Sequence, residues 1–139
     1  MKIITFVLQK IANKLEKYSY YYKTREFNKR VGYLPKSSTF YLPDVCSCPE
    51  KIFLEENTSI FGNSKFIISN EGNDGNFIMK RNSGAAQGLT VITNLHHRTV
   101  GRPCCETDFH HVGDENKNII VNEDVSIGAN VILLPGVSI

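Results

Sequence analysis

Aliphatic residues recur on a six-residue beat through much of the chain. In the last twenty-one positions, Ile119 and Val121, Val125 and Ile127, Val131 and Leu133, and Val137 and Ile139 form pairs two apart. Each pair follows the previous one by six. A 3.6-residue helix does not produce this spacing, and neither does a simple hairpin. It predicts a β-solenoid of short flat strands, each turning aliphatic residues inward before a corner. The beat begins at about Cys46. Leu54, Ile60 and Phe66 are six apart, preceded at two residues by Ile52, Thr58 and Ser64; Met79, Ala85 and Val91 follow the same rule with Phe77, Ser83 and Leu89. Small Thr, Ser and Ala among larger side chains suit a tapered, tightly wound interior. Thirteen residues separate Phe66 from Met79, two hexads and one extra residue, which the Gly/Asn/Asp-rich residues 70–76 accommodate as a turn.

Two segments stand outside the beat. Residues 2–17 predict an amphipathic helix, with Ile4, Val7, Leu8, Ile11 and Leu15 on one face and Lys10, Lys14 and Lys17 largely on the other. Packing on the body of its own chain or a sister chain is the favoured reading. Between Val91 and Val121 lie thirty residues, five hexads, whose in-register positions His97, Pro103, Phe109 and Glu115 include no aliphatic. Residues 94–118 are therefore predicted to leave the coil as a loop and return in phase. A loop of that length in a compact solenoid is usually functional, and all four histidines (His96, His97, His110 and His111) lie in it. The expected organisation is a basic, tyrosine-rich helical arm over residues 1–45 and an all-β solenoid over residues 46–139.

Length and composition narrow the function. A chain of 139 residues makes one domain with at most a small appendage. The net charge of +2 conceals a split: residues 1–40 hold nine Lys/Arg against two Asp/Glu, and the rest hold seven against twelve. All six tyrosines fall in the first 41 positions. The basic arm through Lys36 gives a second reading for residues 1–36, peripheral contact with an anionic membrane at its inner face. Nucleic-acid binding is not expected, because the basic excess accompanies no recognised fold. The apolar stretch at residues 3–8 is too short for a secretory signal, and no window approaches a membrane span. Cys46, Cys48, Cys104 and Cys105 are then expected to be reduced thiols in a cytoplasm. No metal is expected, since their spacing with the histidines matches no zinc pattern. Residues 84–88 lack the lysine and strand-to-helix context of a phosphate loop.

Two stretches resemble the hexapeptide-repeat acyltransferases, a family with a left-handed parallel β-helix. The likeness is nearest to the O-acetyltransferases that modify sugars and surface polysaccharides. NEDVSIGANVILLPGVSI at residues 122–139 follows the family's I-G-x-N-V-x-I-x-P-G-V-x-I pattern almost without a break. GLTVITNLH at residues 88–96 resembles the segment that runs into the loop bearing the family's catalytic histidine, five residues past the last inward aliphatic. Counted from Val91, that residue is His96. The resemblance spans residues 50–139. Ser126 stands where the family often has Trp, and His97 where it has Pro. The family continues with Gly and at least one more coil where this chain has its last residue, Ile139, so the sequence reads as truncated.

The resemblance implies a homotrimer with active sites in clefts between chains, acetyl-CoA as co-substrate and a saccharide hydroxyl as acceptor. Transfer of an acetyl group from a thioester needs a base for the hydroxyl proton, donors for the oxyanion and a means of holding both substrates. A neutral imidazole, with an unperturbed pKa of about 6.5, suits the first task. His96 is the candidate base and His97 the runner-up; Asp108 or Glu106 could orient the ring. By resemblance, Gly128 and Ala129 bring a backbone N–H to the thioester, although Gly128 and Gly136 also suit corners of the coil. Three alternatives stay open: a truncated, non-catalytic β-helix, and acetyltransferases for serine or for an amino-sugar nitrogen.

Overall fold

One α-helix, one short 3-10 helix (Pro49–Lys51) and eleven short parallel strands are the regular elements of the described residues. The computed structural model describes residues 2–70, 75–94 and 117–139, with side chains from Thr5 onward. Helix α1 runs Lys2–Asn28. The strands are β1 (Thr39–Phe40), β2 (Val45–Cys46), β3 (Ile52–Leu54), β4 (Ser59–Ile60), β5 (Lys65–Ile67), β6 (Phe77–Met79), β7 (Gly84–Ala85), β8 (Thr90–Ile92), β9 (Ile119–Val121), β10 (Ser126–Ile127) and β11 (Ile132–Leu133).

They form three parallel sheets, β1-β4-β7-β10, β2-β5-β8-β11 and β3-β6-β9. The chain visits these in strict rotation, so every third strand lies beside its predecessor. The pattern is consistent with a β-helix. Partners in the first sheet lie 20, 25 and 42 residues apart, as Thr39 with Ser59, Ser59 with Gly84 and Gly84 with Ser126. Only the bridge between Ile120 and Ser138 spans eighteen residues, three hexads without insertion.

The inward pairs follow the predicted beat as far as Leu133; Val125, Val131 and Val137 are only half-buried, and Ile139, expected inward, is exposed. Ile52, Leu54, Ile60, Phe66, Phe77, Met79, Leu89, Val91, Ile119 and Val121 are all fully buried. Strands of two or three residues suffice because each presents its inward residues to the interior while the layers above and below take its backbone hydrogen bonds. The layering also extends back beyond Cys46. Phe40 of β1 is buried and lies six residues before Cys46. Its start is masked in the sequence because Ser38 occupies the position two before it, where an aliphatic is otherwise common.

Two of the small hydroxyls in these positions, Ser38 and Ser83, are hydrogen-bonded from layer to layer. Ser38 Oγ donates to Glu55 O (2.6 Å) and accepts from Thr58 N–H (3.0 Å). Thr58 Oγ1 donates to the same Glu55 carbonyl (3.0 Å). Ser83 Oγ donates to Asn122 O (2.6 Å) and accepts from Val125 N–H (3.0 Å). Ser64 Oγ, equally buried, has no partner. A buried polar group that loses its partner costs about 1–3 kcal/mol, whereas removing an unpaired one does not. Ser83→Ala is therefore expected to lower unfolding stability by about 1–3 kcal/mol, and Ser64→Ala to leave it unchanged or raised. Urea unfolding of the two variants compares them directly, and equal losses would contradict this account of the ladder.

Corners stack in columns as well. Asn57, Asn82 and Asp124 have positive φ at the corner from the third sheet to the first, and Asn63, Gly88 and Asn130 at the corner from the first to the second. Asn and Asp tolerate this left-handed region better than other side chains. Asn57 Nδ2 also donates to Asn82 Oδ1 (3.2 Å) across one layer.

Helix α1 differs from the expectation over residues 2–17 by running eleven residues further. Nothing between Tyr18 and Asn28 breaks it, there being neither Gly nor Pro before Gly32. Every described residue from Thr5 to Lys23 is exposed. Only the last turns meet the sheets, through Phe27, whose ring lies edge-on to Phe40 with centroids 5.4 Å apart. Packing of the helix on its own chain is thus confined to that end. Among the described residues no helix is long and apolar enough to cross a membrane.

Candidate functional site

Every departure from the six-residue beat falls at one corner. From the first sheet to the second, inward residues are always six apart: Phe40 to Cys46, Ile60 to Phe66, Ala85 to Val91 and Ile127 to Leu133. From the third to the first they are again six apart: Leu54 to Ile60, Met79 to Ala85 and Val121 to Ile127. From the second to the third the steps are eight, thirteen and thirty: Cys46 to Leu54, Phe66 to Met79 and Val91 to Val121. The thirteen-residue step is a single passage from β5 to β6 with seven residues to spare. It replaces the expected two hexads with one extra residue. The 94–118 segment leaves and rejoins at this same corner.

Hydrogen bonds tie the three excursions together at their roots. Lys51 Nζ donates to Ser69 O (2.8 Å), and Ser69 N–H donates to Thr93 Oγ1 (3.4 Å). Thr93 is fully buried, and its own N–H donates to Ile67 O (3.1 Å). Lys117 N–H donates to Thr93 O (3.0 Å), so one backbone bond joins the two ends of the 94–118 segment as a neck. Beside it Asn118 Oδ1 accepts from Asn76 N–H (2.8 Å). This neck rests on a packed wall of buried residues. His96 and His97, the candidate bases, lie outside the described residues, as do His110, His111, Glu106, Asp108, Cys104 and Cys105.

Gly128 and Ala129 lie at a different corner, between β10 and β11, and both are exposed. A Cβ at Gly128 would meet nothing within 4 Å. Its φ is not in the left-handed region, so Gly128 does not serve the turn in that way; Asn130 does (φ 58°). Gly136 does have positive φ (79°), as expected of a corner glycine. Asn130 N–H donates to Gln87 O (2.9 Å). Among the described residues, the N–H of Ala129 donates to no acceptor, nor does that of Gln87 one layer earlier. The corner thus presents free amide donors beside a small side chain. The second sheet lies between this corner and the loop neck.

Cys46 and Cys48 carry no disulfide, and among the described residues no group of His, Cys, Asp and Glu could hold a metal ion. Burial pushes the Cys46 thiol up to about 11, with a smaller contribution from the neighbouring Cys48; burial also raises Cys48. Thiols held protonated are poor nucleophiles and ligands at neutral pH. Cys46 is expected to react with iodoacetamide at pH 8 roughly a hundredfold more slowly than an exposed cysteine, because the thiolate is the attacking form. Peptide-resolved mass spectrometry of the native protein measures this, and alkylation at the rate of a free thiol would contradict it.

A concavity at the helix has no counterpart in the sequence reading. A cleft of about 250 Å³ lies between the last turns of α1 and β1, lined in part by Tyr20, Thr24, Asn28, Thr39 and Tyr41. Asn28 Nδ2 donates to Phe40 O (3.4 Å), while its buried Oδ1 has no partner. The run of tyrosines was the available signal, but its pairing with β1 depends on a helix longer than the one expected. Comparison with protein-family models, with curated proteins and with solved structures finds no match to this chain.

Proposed function

We propose that this chain is a left-handed parallel β-helix of hexapeptide repeats that transfers an acetyl or other short acyl group from acetyl-CoA to a hydroxyl of a saccharide, in the synthesis of a surface polysaccharide or glycolipid. The observation that carries the reading is the uneven distribution of insertions. Two of the three corners keep six-residue steps throughout, and the third holds a long histidine-bearing excursion at a hydrogen-bonded neck. The handedness and the activity follow from the sequence resemblance.

In this reading His96 takes the proton of the acceptor hydroxyl as its oxygen attacks the thioester carbonyl. The carbon–sulfur bond then breaks, and the proton passes from the imidazole to the leaving thiolate. His97 is the runner-up for this role. The N–H of Ala129, beside the open face of Gly128, supplies a donor for the acyl donor's carbonyl oxygen, where negative charge develops. As the sequence resemblance implies, a complete site takes the histidine from one chain and the amide from another. A homotrimer with sites in its clefts meets that need.

Equilibrium binding of coenzyme A to the full chain tests the proposal. Saturable binding, displaced by acetyl-CoA, is expected. A folded protein with no detectable binding would favour a non-catalytic coil.

A further inference from the structure

The exposed face of α1 is the largest feature that the proposed chemistry leaves unused. Val7, Leu8, Ile11, Leu15, Tyr18 and Tyr22 are each about half exposed or more. At about 100° per residue they fall within one stripe along the axis. The opposite side of the helix is the one that docks. Phe27 follows Tyr18 by nine residues, about two and a half turns, which places it half a turn away around the axis. Phe27 packs edge-on against Phe40, and beside it Asn28 Nδ2 bonds Phe40 O. The stripe therefore faces away from the sheets and cannot reach them while Phe27 stays docked.

Charge identifies the occupant. Helix α1 carries six Lys/Arg against two Glu. Lys10, Lys14 and Lys17 are exposed and flank the stripe on one side; Ala12 and Ser19 flank it on the other. In a bundle of identical helices these flanks would offer Lys14 no acidic partner, and the like net charges would repel. An anionic surface with an apolar interior satisfies both the stripe and the lysines. Tyr18 and Tyr22, at the end of the stripe near the docked turns, suit the polar boundary of such a surface.

We infer that α1 lies in the plane of an anionic bilayer, with its apolar stripe sunk among the acyl chains and the sheets held above by the Phe27–Phe40 contact. The helix does not span the membrane. This inference stands independently of the acyl-transfer reading.

Flotation of the full chain with vesicles tests it. Vesicles of phosphatidylcholine with about a quarter phosphatidylglycerol are expected to bind at least tenfold more protein than phosphatidylcholine alone, with loss at high salt. Leu8→Glu with Leu15→Glu should abolish flotation. Lys10→Gln, Lys14→Gln and Lys17→Gln together should weaken binding to the anionic vesicles about a hundredfold, since each basic residue contributes about fivefold. Circular dichroism should show each variant folded, because these side chains are exposed. Equal binding to both vesicles, or none, would overturn the inference. So would sedimentation showing an oligomer that Leu8→Glu with Leu15→Glu dissociates without vesicle binding, since the stripe would then be a seam between copies.

Discussion

Replacing His96 with alanine is expected to lower the rate of acetyl transfer by about 10²–10⁴-fold while leaving coenzyme A affinity nearly unchanged. The reason is positional. Lys117 N–H and Thr93 O close the neck of the excursion, and His96 follows Thr93 by three residues. In the proposed mechanism that histidine is the base. Its removal takes away proton transfer but none of the amide donors at the Ala129 corner. Steady-state transfer kinetics with coenzyme binding measured in parallel make the comparison. Full activity in His96→Ala with a large loss in His97→Ala would move the base by one residue. Full activity in both would exclude a histidine base at this point in the loop.

Phe66→Ala is expected to destabilise the fold by about 3–5 kcal/mol. Phe66 is fully buried, and its ring lies edge-on to both Phe40 (5.4 Å) and Phe77 (5.5 Å). These three residues belong to the three different sheets, so one side chain links all faces of the interior. Phe27 extends the row to the helix through Phe40. The loss combines the transfer free energy of the ring, the cavity left behind and two aromatic contacts of about 0.5–1.5 kcal/mol each. A domain with a net stability of only about 5–15 kcal/mol would be left close to unfolding. Urea unfolding followed by circular dichroism measures the effect, and Phe66→Leu should recover much of it. A loss under about 1 kcal/mol would mean that the three sheets do not enclose a packed core.

Much of the architecture was legible in the chain because its periodicity is local. Ile119 with Val121, and Ile127 with Leu133, declare an inward side every six residues, and burial follows that pattern. What remained hidden depends on neighbours distant in sequence. Ser38 and Ser83 read as small fillers, yet each bonds a carbonyl and an amide of another layer, and neighbouring layers lie 20, 25 or 42 residues away. Counting residues also could not show that the steps from Phe66 and from Val91 leave the same corner. Gly128 illustrates the limit for the site. A glycine at a corner suggests a positive φ, but the left-handed residue there is Asn130. Helix α1 was underestimated because the aliphatic stripe gives way to tyrosines at Tyr18, and these continue the helix rather than end it.

The most direct measurement is the release of free coenzyme A thiol from acetyl-CoA by the purified chain, across a panel of saccharides, with mass analysis of the product. Saccharide-dependent release, with an alkali-labile acetyl ester on a sugar hydroxyl, is the expected result. A folded protein that binds the coenzyme but releases no thiol with any hydroxyl acceptor, or that forms only an amide, would contradict transfer to a saccharide oxygen.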